Sequence, residues 1–489
     1  MERNHTMIQF FEWHLEADAN HWKRLKETAT EFKNRGIGAV WIPPATKGMS
    51  AEDTGYAPYD LYDLGEFDQK GSVATKYGAK KELLDAIKVC HDHGIHIYAD
   101  VVMNHKAGAD DTEVFQVIEV DPNDRTKEVS GPFDIEGWTK FTFPNRDNTY
   151  SSFKWGFEYF NGTDFDAMEN RTGVFRIIGD NKNWSHEVDD EFSNYDYLMF
   201  ANIDYNHPEV QEEIIRWGKW FADTLHCNGF RLDAMKHINH DFIKLFAEQI
   251  AQHCGDDFYF VGEFWKHDLE ACQQFLEQVD YHIDLFDVAL HDKLHTASKS
   301  GNDFDLTTIF DDTLVQSHPL QAVTFVDNHD TQPGEALESW VEDWFKQSAY
   351  SLILLRKDGY PCIFYGDYFG IGGENPIEPK QEAINPILYA RYHKAYGVQE
   401  DYFDHPNTIG WVRSGKPEIE RSGCAVVISN GDAGEKRMCA GENRAGEIWV
   451  DLTGTRDEHI CIEEDGFAAF PVNGGSVSVW ALPQVDVES

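Results

Sequence analysis

Four short runs place carboxylates, histidines and one arginine where apolar stretches end. They are Asp100-Val101-Val102-Met103-Asn104-His105, Gly229-Phe230-Arg231-Leu232-Asp233-Ala234-Met235-Lys236-His237, Val261-Gly262-Glu263-Phe264-Trp265 and Phe325-Val326-Asp327-Asn328-His329-Asp330. Three of the acids, Asp233, Glu263 and Asp330, form a set suited to breaking a glycosidic bond. That reaction needs one carboxyl to protonate the leaving oxygen. A second must attack the anomeric carbon or activate water. Residues two apart on a strand point the same way. Arg231 therefore faces Asp233 and holds it ionised, as a nucleophile must be. Glu263 is followed by Phe264 and Trp265, neighbours that raise a carboxyl pKa and suit it to act as the acid.

These residues converge only if the runs are strands of one closed sheet. Eight apolar, β-rich runs recur, at 7–13, 39–42, 96–103, 229–232, 258–261, 283–289, 322–326 and 362–365. Several lack polar alternation, as parallel strands buried on both faces do. Helical patterns at 22–34, 80–91, 209–225 and 337–356 lie between them. The expected fold is α/β, a (β/α)8 TIM barrel whose strand ends open into one mouth. The rhythm breaks twice. Residues 106–204 show no clean helix and are too long for a loop. After about 396, short strands alternate with Gly-rich turns. The barrel is therefore expected from 1–104 and 205–395. An inserted subdomain follows strand three at 105–204, and a C-terminal antiparallel β-sandwich covers 396–489.

Composition narrows the partners. Asp and Glu number 86 against 42 Lys and Arg, a net charge of −44. Nucleic acid and anionic membrane surfaces both demand a basic face, so neither is an expected partner. No apolar stretch approaches the roughly 20 residues of a membrane span. Met1–His5 run straight into a strand-like pattern, with no charged head and apolar stretch of a secretory leader. The eight cysteines form no C-x-x-C pair, which argues against a zinc or redox motif. Reduced thiols and a cytoplasmic, monomeric protein are the expectation. Three other features invite a bland reading. His91, His93 and His96 fall at a helix end and the start of a strand, away from the mouth. Gly370–Gly373 lacks the Gly-Lys-Ser/Thr of a phosphate loop and shapes the loop after strand eight. Asp189–Glu191 reads as a solvated acidic face.

The four runs together resemble the signature regions of the α-amylase family of glycoside hydrolases, closest to bacterial liquefying and cytoplasmic α-amylases. Supporting segments are Gly55-Tyr56-Ala57-Pro58-Tyr59-Asp60-Leu61-Tyr62-Asp63-Leu64, Leu198-Met199-Phe200-Ala201-Asn202-Ile203-Asp204 and Asp330-Thr331-Gln332-Pro333. The likeness covers nearly the whole chain. It implies an endo-acting hydrolase of α-1,4-glucosidic bonds in starch, glycogen or maltodextrins. Asp233 would be the nucleophile, Glu263 the acid and then the base, and Asp330 a holder of sugar hydroxyls. His105 and His329 would bond the same sugar and Tyr56 would stack on it. Lys236 and His237 would line the leaving-group side, with Trp13 and Trp265 as exposed platforms. Retention of configuration follows if Asp233 and Glu263 lie ~5–5.5 Å apart.

The resemblance also implies one calcium ion, held by Asn104, Asp196, residue 202 and the His237 carbonyl. Hard oxygen ligands suit calcium. Here Asn stands at 202 and Ser at 185, where the liquefying enzymes carry Asp. Each change removes a charge, so affinity should fall. Asp164 and Asp204 would remain as remnants of a second site. Two rivals share the fold: a transglycosylase using the same acids, and a non-catalytic glucan-binding protein, which is expected to have lost them.

Overall fold

The computed structural model describes residues 3–483. Met1, Glu2 and 484–489, which fall in the first and last expected domains, lie outside the described residues.

Eight parallel strands close into a barrel: β1 (Met7–Gln9), β2 (Ala39–Ile42), β3 (His96–Val101), β4 (Gly229–Leu232), β5 (Tyr259–Gly262), β6 (Asp284–Phe286), β7 (Ala322–Phe325) and β8 (Tyr360–Phe364). β1 pairs with both β2 and β8, so the sheet has no edge. Met7, Trp41, Val261 and Phe325 pack inside it. Ile8, Val40, Ile97 and Leu232 pack outside, in one core with Trp22, Phe32, Ile214 and Trp217 of the covering helices. Burial on both faces is why these strands read as unbroken apolar runs. In register, Arg231 on β4 lies opposite Asp100 on β3 and Val261 on β5. Gly262 ends β5 where a Cβ would overlap the Met235 side chain. The turn after β4 can thus pack against the residue before Glu263, and the Met235 N–H donates to the Glu263 carbonyl at 3.1 Å.

Several elements stop short of their apolar patterns. The 283–289 run leaves the sheet at Phe286, because Asp287 caps the helix Val288–Ser300 and accepts from the Leu290 N–H at 3.1 Å. The 7–13 run ends its pairing near Phe10, where the chain turns into the mouth and Glu12 takes the His14 N–H at 2.6 Å. The helix expected at 337–356 forms only over Asp343–Leu354. The backbone before it bonds elsewhere: Ser339 to the Thr331 carbonyl, Val341 to the Asp327 carboxylate and Glu342 to the Ser298 hydroxyl. Those bonds pin 339–342 across the loop after β7.

After β3 the chain builds an antiparallel sheet. His105–Lys106 pairs with Ala201–Ile203, then Phe160–Asp166, Arg171–Ile177, Asp111–Asp121 and Asp124–Glu128 follow in order. Phe133–Lys140 pairs on Asp111–Asp121. The C-terminal part is a six-stranded antiparallel sheet packed on the pair Gly434–Cys439 and Phe467–Val472. Val412, Val427, Met438, Phe470 and Trp480 fill the space between. Gly434–Cys439 carries Glu435 and Arg437 on its outer face and a buried Lys436 beside Met438 on its inner one, which hid it from the apolar pattern. Among the described residues, no helix is long and apolar enough to cross a membrane.

Candidate active site

Arg231 is the centre of the mouth. It is 1% exposed. One terminal nitrogen donates to Asp233 Oδ1 at 2.5 Å and to both Asp100 oxygens at 3.1 and 3.2 Å. The other donates to Glu263 Oε2 at 2.6 Å. One guanidinium thus bridges the ends of β3, β4 and β5. Asp100 was missed by the sequence reading, although a buried acid inside an apolar strand needs a partner. It also accepts from Trp41 Nε1 and the Tyr56 hydroxyl, each at 2.9 Å. Burial pushes Asp100 up to about 6 against the pull of Arg231.

The carboxyls differ in environment. Burial pushes Glu263 up to about 8 and outweighs Arg231, with the charges of Asp233 and Asp330 adding to the rise. Burial likewise pushes Asp330 up to about 7. A Glu that keeps its proton beside an Asp held by a guanidinium is the split that acid–base and nucleophilic roles require.

The imidazoles are held neutral by burial. His329 and His105 lie below the ordinary histidine value, and His237 is pushed down to about 3. The Gln9 amide donates to His329 Nδ1 at 2.9 Å, so the ring proton sits on Nε2, 3.4 Å from Asp330 Oδ2. His105 Nε2 donates to the Tyr56 carbonyl at 2.8 Å, and Asn104 lies 3.2 Å from Nδ1. A sugar hydroxyl at His105 must compete with that carbonyl.

Trp13, Tyr56 and His329 form a parallel aromatic set, with centroids 5.0–5.8 Å apart and planes within 14°. Trp13 and Trp265 are half-buried rather than exposed platforms. Trp265 packs toward His291 and Phe325. Lys236 meets Glu191 at 2.6 Å, and His237 Nδ1 bonds the Tyr195 carbonyl at 2.8 Å. Asp189–Glu191 is the solvated face the sequence suggested only at Asp190. Asp189 is buried and pairs with Lys266 at 2.9 Å, so the run supplies counter-charges to two lysines. His91 bonds Asn228, and His93 bonds Val89 and Thr30, which gives both structural partners. Gly372 donates to Glu12 Oε1 at 3.3 Å, tying the loop after β8 to the loop after β1.

The suggested metal ligands also gather. Asp196 accepts from Asn202 Nδ2 at 3.1 Å, Asn161 Nδ2 at 2.7 Å and the Ser185 N–H at 2.8 Å. Asn104 is joined to the same strand by its carbonyl, which accepts from Ile203. His237 adjoins through Tyr195. Asn202 Oδ1 is fully buried with no hydrogen-bond partner among the described residues. An orphaned amide oxygen beside a buried carboxylate fits a hard cation. Only one formal charge stands there, and among the described residues no three His, Cys, Asp or Glu side chains are placed to hold a metal. Asp164 accepts from the Phe200 N–H, and Asp204 faces Lys182 at 3.4 Å, so protein donors serve both.

The α-amylase catalytic-domain family matches residues 31–404. The chain is 51% identical over 480 residues to a glucan 1,4-alpha-maltohexaosidase of Bacillus sp. (strain 707), covering 98% of this chain and 92% of that protein. It is 45% identical to the cytoplasmic alpha-amylase of Escherichia coli (strain K12), covering 99% of this chain and 100% of that one. Among solved structures it is similar to an Anoxybacillus alpha-amylase, with a TM-score of 0.65 at 16% identity over 99% of each chain. It is also similar to CldA, a cyclomaltodextrin glucanotransferase with a three-domain ABC distribution, with a TM-score of 0.65 at 18% identity over 99% and 100% of the two chains. At these identities the structural likeness shows the fold.

Proposed function

Because the chain belongs to the α-amylase family, we propose that Asp233, Glu263 and Asp330 hydrolyse internal α-1,4-glucosidic bonds of starch, glycogen or maltodextrins with retention. The chain is a glycoside hydrolase acting on α-1,4-glucans. The observation that supports the assignment of roles is the Arg231 bridge, which joins Asp233 and a proton-retaining Glu263 through one guanidinium.

Asp233 attacks the anomeric carbon while Glu263 gives its proton to the glycosidic oxygen. The shortened glucan leaves with a free hydroxyl, and a glycosyl ester forms on Asp233. Glu263, now a carboxylate, takes a proton from water, and that water's oxygen attacks the same carbon. Asp233 departs as a carboxylate and both groups are restored. Arg231, bonded to Asp233 Oδ1, orients the carboxylate for attack and receives it again when it departs. Asp330 and the Nε2–H of His329 hold hydroxyls of the reacting sugar, and Tyr56 and Trp13 supply apolar faces for the rings. Lys236 and His237 line the leaving-group side.

The domain division is proposed as 1–104 with 205–395, 105–204 and 396–489. A cytoplasmic location is proposed on the likeness to the E. coli relative. One calcium ion is proposed at Asp196, Asn202, Asn104 and the His237 carbonyl, where it would tie the inserted sheet to the barrel. Asn202→Asp adds a second carboxylate and is expected to tighten calcium at least about tenfold. Titration calorimetry on the EDTA-stripped protein measures this. Equal affinity in both forms would remove residue 202 from the ligands.

Proton NMR of maltoheptaose with the purified protein tests the function. Shorter products appearing first as α-anomers, before mutarotation, are expected. Growth of longer oligomers would make the chain a transglycosylase. No reaction, with or without added calcium, would overturn the reading.

A further inference from the structure

We propose that Lys346 is a positioning residue for the reaction, holding through Asp327 and Thr331 the turn that presents His329 and Asp330. The inference rests on the reading of Asp330 given above. Lys346 lies in the first turn of the helix Asp343–Leu354 and is 1% exposed. Its ammonium hydrogen-bonds Asp327 Oδ2 at 2.5 Å and forms an ion pair with Asp367 Oδ1 at 2.7 Å, over the face of Trp340. A buried ion cluster is weak evidence for stability, because apolar replacements often serve as well. What these charges touch is more informative.

Asp327 ends the extension of β7 and is itself buried. Its Oδ1 accepts from the Thr331 hydroxyl at 2.8 Å. The Thr331 oxygen accepts from the Asn328 N–H at 3.0 Å. Asn328 Oδ1 then accepts from the N–H groups of Asp330 and Thr331 at 2.9 and 3.0 Å. The relay ends on the backbone of Asp330. On the other side, Asp367 accepts from the Tyr350 hydroxyl at 2.7 Å, whose oxygen accepts from Phe364 N–H at the end of β8. The ammonium thus fixes the turn after β7 against the end of β8. Lys346, Asp327, Thr331 and Asp367 are all at least 98% buried, so they act through the turn rather than on a sugar. A catalytic group misplaced by ~1 Å can cost about 10²-fold in rate.

Full-length Lys346→Met and Thr331→Val test the relay, with kcat and KM measured on maltoheptaose. Thr331→Val leaves the three buried charges in place, which guards against a misfolded Lys346→Met. Circular dichroism verifies the fold of each. Both should lose about 10- to 10²-fold in kcat with KM changed less than about threefold, because the defect is in orientation rather than in the remote sugar contacts. The double variant should be no slower than the worse single one, as members of one relay are not additive. In an Asp330→Ala background each change should lower the residual rate by clearly less than in wild type, only the part that acts through His329 remaining. A folded Thr331→Val with wild-type kcat would overturn the relay. So would losses of the same size in the Asp330→Ala background. If Asp330→Ala alone left the rate unchanged, the reading of Asp330 would fall, and the relay would lose its object.

Discussion

Asp233→Asn is expected to lower kcat on maltoheptaose by about 10⁴-fold or more, the scale on which removal of a nucleophile acts. The substitution is nearly isosteric, and the Asn oxygen can still accept from Arg231, which now stands 2.5 Å from Asp233 Oδ1. What disappears is the charge that attacks the anomeric carbon. A second effect follows from the cluster. The Asp233 charge is among the causes that raise Glu263. Without it, Glu263 should hold its proton less tightly and become a poorer acid at neutral pH. The variant should still fold, because the Asp100 carboxylate remains to balance the Arg231 guanidinium. It should bind maltoheptaose with a Kd within about threefold of wild type, since the remote sugar contacts are untouched. Proton NMR for turnover and calorimetry for binding separate the two. Activity within tenfold of wild type would exclude Asp233 as the nucleophile.

The legible parts of this molecule were those carried by periodicity. Two-residue alternation put Arg231 and Asp233 on one side of a strand, and their contact bears this out. Unbroken apolar runs marked all eight barrel strands, because both faces of such a sheet are buried. What escaped depended on contacts distant in sequence. Asp100 looked like one more strand-end acid, yet it is the base on which Arg231 and Tyr56 rest. The register pairing of Asp100 with Arg231 exists only once β3 and β4 are neighbours. The segment 337–342 looked helical, but its N–H groups found Thr331, Asp327 and Ser298 instead. Likewise the pairing of Asp189 and Glu191 was hidden because the lysines that meet them lie some 45 to 77 residues later in the chain. Helical and strand patterns report which face is buried. They do not report which charge will be found there.

Glu263 offers the most direct test of the acid. Burial raises its pKa from 4.5 to about 8, so the carboxyl is protonated at neutral pH and loses its proton as pH rises through 8. Wild-type kcat/KM, which reports the free enzyme, should therefore fall on the alkaline side with a midpoint near that value. Glu263→Gln cannot donate and should be slower on maltoheptaose by about 10²- to 10⁴-fold. An activated aryl maltoside, whose leaving group departs as a stable phenolate, should form its glycosyl-enzyme with a much smaller loss. The same shift has a stability counterpart. The native carboxyl holds a proton that the unfolded chain has already released, so its contribution to wild-type stability declines from about pH 4.5 to 8. Gln does not titrate. Its Tm relative to wild type should therefore rise across that window and level off above it. Asp330, pushed up to about 7 by burial, is the competing source of an alkaline limb. If the limb survives in Glu263→Gln, the titrating group is Asp330. If it vanishes there and persists in Asp330→Asn, the proton that reaches the glycosidic oxygen is the one held by Glu263.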